Sequence, residues 1–218
     1  MKSVGIIWAM LGCATFLGFA SGPLCAAATE SKYRGFSIDE SRLKDLTQIE
    51  ALRSATREQI DMVCAVGLPA DILTFFQSLP LVLVPTGTVP SATPGLYGGK
   101  DRTVKVVTSI LAVGHKPVLL HELLHAYHDQ RLKDGFGNRE ILAYFDLAKA
   151  ISAYGAKSHM MQNEKEFFAC SATTFLFGVT AQEPFHRDKL QASQPELIGY
   201  FQALFGPNSG HYAGTLER

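Results

Sequence analysis

The chain has 218 residues, 47% of them hydrophobic, and 20 basic residues balance 20 acidic ones. That length supplies one sizeable core, and the apolar content and balanced charge exclude a disordered chain or a polyanion-binding surface. No basic run alternates with aromatics, so nucleic acid is not an expected partner.

Residues 1–30, MKSVGIIWAMLGCATFLGFASGPLCAAATE, carry Lys2 and then no charge until Glu30. An apolar run from Val4 to Ala20, the breaker Ser21-Gly22-Pro23 and the small residues Cys25 to Ala28 follow in the order of a secretory signal peptide. Cleavage is expected after Ala28, leaving 29–218 as one secreted or periplasmic domain without a stable membrane span. An uncleaved anchor is the alternative that the length of the apolar run allows. Cleavage also removes Cys13 and Cys25. Cys64 and Cys170 remain, and they pair only if the fold brings them within bonding distance.

From Ser37 to Val66, Ile38, Leu43, Leu46, Ile49, Leu52, Ile60 and Val63 recur at helical spacing among charges, which predicts one long or two shorter amphipathic helices. ADILTFFQSL, after Leu68-Pro69, reads as a further short helix. PLVLVP has the length and residue type of a buried strand. Thr86 to Gly99, rich in Gly, Pro, Thr and Ser, reads as a loop. RTVKVVTSIL then has strand propensity with partial alternation and suits a sheet edge. Pro117 fits the first turn of a helix running to about Leu132. Further helices are expected over Glu140–Tyr154 and from Asn163 to Phe177, the latter stopped by Gly178. One short helix is expected beyond Pro184.

The helix after Pro117 carries His121-Glu122-Leu123-Leu124-His125. Histidines four apart project from one helical face, where two imidazoles can reach a single Zn²⁺ at about 2.0–2.1 Å each. Glu122 then lies beside the ion, not on it, placed to take a proton from an activated water; this is the metallopeptidase motif. His128 shares the face but stands about 10 Å further along the axis, too far to complete the site. The three-histidine variant of the motif needs a glycine three residues after His125 and a histidine six after it, and those positions hold His128 and Arg131. A third ligand must therefore come from another segment. In HMMQNEKEFFACSATTFLFG, Glu166 shares a polar stripe with His159, Asn163 and Cys170, whereas Glu164 lies on the opposite, apolar side. Glu166 is the preferred ligand. Its competing role is to complete a capping box with Asn163, and Glu140 is the other candidate acid.

The two motifs together, His121-Glu122-x-x-His125 and NEKEFFA at 163–169, resemble the gluzincin metallopeptidases, specifically the catalytic domain of anthrax toxin lethal factor and related bacterial zinc peptidases. The resemblance covers residues 117–178. It implies an α+β, zincin-like domain, helix-rich, with a small mixed sheet whose edge strand precedes the His121 helix and aligns an extended peptide beside the metal. It also implies His121, His125 and Glu166 as zinc ligands and Glu122 as general base. The chain departs from the pattern twice. His159 stands where a tyrosine assists the oxyanion, with Tyr154 in reserve, and Cys170 stands where an acid orients a ligand histidine. The expected activity is zinc-dependent hydrolysis of a peptide or protein substrate. The alternative is a catalytically degenerate zinc-binding module of the cell envelope that grips a peptide without cutting it.

Overall fold

The structure is a computed structural model and describes residues 30–43, 47–89 and 93–207; the expected signal peptide lies outside them. Within those residues five short strands form one mixed sheet: β1 (Glu30–Tyr33), β2 (Phe36–Asp39), β3 (Leu81–Val84), β4 (Gly95–Gly98) and β5 (Thr103–Val107), in the spatial order β1-β2-β3-β5-β4. β1 runs antiparallel to β2, β2 and β3 are parallel, β3 and β5 are parallel, and β4 closes the sheet antiparallel to β5. All four residues of β3 are buried, as suits a central parallel strand covered on both sides. Seven α-helices accompany the sheet: α1 (Ile49–Ala65), α2 (Ala70–Ser78), α3 (Val118–Arg131), α4 (Arg139–Ala150), α5 (Glu164–Phe177), α6 (Arg187–Ser193) and α7 (Pro195–Phe205). The architecture is α+β.

The alternation of the strands divides the interior. Leu81, Leu83, Val104, Val106 and Tyr97 point into the main core with α1, α3 and α5, while Val82, Val84 and Val107 point the other way and are covered by Val89. α3 and α5 are the inner helices. Leu119, Leu120, Leu123, Leu124 and Ala126 of α3 and every residue of α5 from Phe167 to Phe177 are buried, so both helices are enclosed nearly all round. The start of α3 has no side-chain cap of its own. Buried Gln59 of α1 supplies one, accepting from Leu119 N at 3.0 Å while donating to Lys116 O at 2.8 Å. This satisfies one of the amides that a helix start leaves unpaired.

Five expectations need correction. The stretch expected to be helical from Ser37 begins as β2: Phe36 and Ile38 are buried and alternate with Ser37 and Asp39, and the helix starts only at Ile49. Ile38 fits a period of two as well as one of 3.6, and pairing with β1 and β3 decides between them. The expected loop Thr86–Gly99 contains β4. The strand expected at the sheet edge, β5, is interior, and β4 takes the edge. Beyond Pro184 there are two helices, not one, and the helix expected over Glu140–Tyr154 ends at Ala150. The remaining helices and β3 stand within a residue or two of their expected places.

His128 lies where α3 faces α5, fully buried, its ring centroid 5.2 Å from that of Phe136 and 4.7 Å from that of Phe168. Neither ring nitrogen has a hydrogen-bond partner. Burial, reinforced by His125 and Lys165, pulls its pKa from 6.5 down to about 3. A histidine with a depressed folded pKa takes up its proton on unfolding, so stability falls as pH drops below the unfolded value and levels off near the folded one. Substituting His128→Leu should abolish this dependence. In urea denaturation, the stability of the variant relative to wild type should grow by about 1.4 kcal/mol per pH unit below the ordinary histidine pKa, reaching about 2 kcal/mol at pH 5. A difference independent of pH would show that the ring protonates inside the fold.

Candidate metal centre and active site

Because α3 and α5 pack side by side, residues on their facing turns meet. His121 and His125 sit one turn apart on α3, and their Nε2 atoms are 3.1 Å apart. Glu166, in the first turn of α5, brings Oε2 to 3.2 Å from His121 Nε2 and 3.4 Å from His125 Nε2. The start of α5 is held by Asn163, whose Oδ1 accepts from the amides of Lys165 and Glu166, each at 3.0 Å. Of the expected capping box only this half forms: Glu166 turns toward the histidines instead of back to Asn163. Glu140, the other candidate acid, is exposed at the start of α4.

His159 comes from a short 3₁₀ turn, His159–Met161, just before α5, and its Nε2 is 2.9 Å from the same Glu166 oxygen. The reserve residue Tyr154 makes no hydrogen bond to this cluster. It is buried under the Lys189 ammonium, and burial pushes its phenol up to about 12. Cys170, one turn after Glu166, is buried and close by: His121, His159, Glu166 and Cys170 each offer a donor atom within 4.8 Å of the others. Cys64 lies on α1, and both cysteines are free thiols, so the expected option of a Cys64–Cys170 pair is not taken.

Glu122 is buried one residue beyond His121. Its Oε2 accepts from the Tyr97 amide of β4 at 2.8 Å. Tyr97 is itself pinned to α3, donating its hydroxyl to Asp129 Oδ2 at 2.7 Å and accepting from Gln130 Nε2 at 3.0 Å. These contacts from β4 were not foreseen, since a strand reading Gly-Leu-Tyr-Gly among prolines and threonines has little to distinguish it from a loop.

The charges are unequal in the two carboxylates. Burial alone would raise the Glu166 pKa, but hydrogen bonds from His121, His125 and His159 outweigh it and hold the group far below the usual carboxylate range. Burial wins at Glu122, whose pKa is raised although His121 and the Tyr97 amide oppose it. The hydrogen bond to Glu166 raises His159 against the effect of burial. Burial, with Glu166 and Glu122 adding to it, raises the Cys170 thiol, keeping it protonated. One carboxylate is thus firmly anionic and the other biased toward holding a proton, a division of labour suited to a ligand beside an acid–base group.

The donor set fits a zinc ion. Ligands at about 2.0–2.1 Å on a tetrahedron stand about 3.3–3.4 Å from one another, and the three atoms His121 Nε2, His125 Nε2 and Glu166 Oε2 are separated by 3.1, 3.2 and 3.4 Å. Two imidazoles and one carboxylate are also the mixed nitrogen and oxygen set that zinc accepts in open sites. A cavity of about 450 Å³ adjoins them, walled by His121, Glu122 and His159 together with Pro94, Val118 and Gln182.

No family model matches the chain, and no curated protein matches it. Among solved structures it is similar to the Pro-Pro endopeptidase PPEP-2 from Paenibacillus alvei, with a TM-score of 0.48 and 18% sequence identity over 72% of this chain and 92% of that one.

Asn163 sets the first turn of α5 and hence the place of Glu166. Its replacement, Asn163→Ala, should cost about 1 kcal/mol of stability, read as a lowered urea midpoint at unchanged slope. No loss would mean that the packing of Phe167 and Phe168 alone holds that turn.

Proposed function

We propose that this protein is a secreted or periplasmic zinc-dependent endopeptidase, its ligands His121, His125 and Glu166 and its general base Glu122. The observation that carries the reading is the near-equilateral triangle of three ligand-type atoms beside a buried carboxylate whose pKa is raised. The N-terminal pattern of residues 1–28 supports export, and among the described residues no helix is long and apolar enough to cross a membrane.

Zinc bound there would supply positive charge and an open coordination position, acidifying a water and polarising the substrate carbonyl. Glu122 accepts the proton of the attacking water and passes it to the leaving amine; its raised pKa makes it the stronger base for the first of these transfers. His159 stands on the cavity wall and donates to the oxygen that gains charge as the carbonyl turns tetrahedral.

The substrate would lie along β4, which replaces β5 in the role first expected for the edge strand. In the β4–β5 ladder Val107 N donates to Pro94 O, so by alternation Leu96 and Gly98 also face β5 and the backbone groups of Gly95 and Tyr97 face away from it; of these the Tyr97 amide is taken by Glu122 and the Gly95 carbonyl accepts from Thr93 Oγ1, which leaves the Gly95 amide and the Tyr97 carbonyl for a peptide. An extended peptide adding there gains backbone hydrogen bonds with little demand on its sequence.

A second reading rests on one observation, the closeness of His159 and Cys170 to His121 and Glu166. If those two groups completed the coordination, no position would remain for water, and the protein would be a zinc-binding module without turnover. The two readings separate in one experiment on purified, zinc-loaded protein offered an unstructured protein substrate. The peptidase reading expects one zinc per chain and cleavage that Glu122→Gln lowers by roughly 10²–10⁴-fold with zinc retained. Glu166→Ala should release the metal. Stoichiometric zinc with no cleavage by wild type favours the closed module, and identical cleavage by wild type and Glu122→Gln removes Glu122 from the chemistry.

A further inference from the structure

We infer that Gly95 of β4 is a positioning residue for Glu122, present because any side chain there would drive the carboxylate out of place; this rests on the reading of Glu122 as general base. A Cβ added at Gly95 would lie 2.8 Å from Glu122 Cγ, 2.8 Å from Val118 Cγ1 and 3.2 Å from Glu122 Oε1. The backbone at Gly95 is not in the left-handed region, so conformational freedom is not the reason for glycine. The reason is space, needed by α3 where its first two turns approach the open edge of the sheet.

The two oxygens of Glu122 have different surroundings. Oε2 is anchored on the Tyr97 amide, and Oε1 lies 3.2 Å from the place a Cβ on Gly95 would take. A methyl group at that place would press on the middle of the Glu122 side chain and cover the oxygen not engaged by the strand. The strand cannot retreat from the clash. β5 holds it on one side through the pairs Gly95–Val106 to Gly98–Thr103, and Tyr97 ties it to Asp129 and Gln130 two turns further along α3. The yielding element is the Glu122 side chain, which has rotamers to spare, and its departure breaks the bond to the Tyr97 amide.

The test compares Gly95→Ala, Val118→Ala and the double variant with wild type, all zinc-loaded. It reads kcat and KM on an unstructured protein substrate, zinc content, and the Tyr97 amide resonance in ¹H–¹⁵N spectra. In Gly95→Ala, kcat should fall roughly 10–100-fold with KM and zinc content little changed, the size expected of a misplacement of about 1 Å. The Tyr97 amide should move upfield as its charged acceptor leaves. Val118→Ala opens the packing contact but not the contact with Glu122, so the double variant should keep the low kcat when set against Val118→Ala alone. A wild-type rate or a wild-type Tyr97 resonance in Gly95→Ala overturns the inference, and so does recovery of the rate in the double variant. If wild type cleaves nothing, the general-base reading fails, and the Tyr97 resonance by itself decides whether Gly95 places the carboxylate.

Discussion

A single carboxylate oxygen, Glu166 Oε2, stands within 3.4 Å of three imidazole nitrogens in the seam between α3 and α5. Removing an anion from water costs several kcal/mol unless donors replace the lost hydration, and here the donors come from three separate turns of chain. The arrangement holds only while the two helices keep their relative height. Leucines of α3 against Phe167, Phe168 and Phe175 of α5 set the separation, Asn163 fixes where α5 begins, and Gln59 fixes where α3 begins. The polar site is thus a product of an apolar interface, and a shift of one helical turn would leave Glu166 half-buried without its three imidazole partners.

α3 carries its own control for this argument. Its three histidines share one helix, yet only His121 and His125 face an acceptor; His128, three residues on, is enclosed by Phe136 and Phe168. Burial without a partner holds that ring neutral, which is what desolvation does to any basic group. The same burial, opposed by neighbouring imidazoles, leaves Glu166 ionised. Identical residue types on one face therefore differ in their partners, and the histidine-rich appearance of the segment says less than the geometry around each ring.

The part of the site lying on helices could be read in advance, because helical spacing alone decides which side chains share a face. His121 and His125 at four residues, Glu122 beside them, and Glu166 in preference to Glu164 all follow from periodicity. The part lying on the sheet could not. Gly95 to Gly98 sits among glycines, prolines and threonines, so its strand character depends on pairing with Thr103 to Val106, a contact that no local pattern encodes. The same long-range pairing places β5 inside the sheet and turns Phe36–Asp39 from apparent helix to strand. Tyr97 and Gly95 consequently had no visible tie to Glu122, although both stand against its side chain.

His159 and Cys170 are the two places where the chain leaves the lethal-factor-like pattern, and the geometry treats them differently. A tyrosine has one hydroxyl to donate. An imidazole has two nitrogens, and the bond from His159 Nε2 to Glu166 favours the charged ring, in which both nitrogens are donors. Nε2 can then donate to the Glu166 carboxylate while Nδ1 remains as a second donor. Cys170 has no such compensation. Buried, protonated and 3.7 Å from Gln182 Oε1, it cannot supply the negative charge of an acid to His121 or His125. Glu166 reaches only the Nε2 atoms of His121 and His125, so the orientation of the two rings depends on the packing of α3.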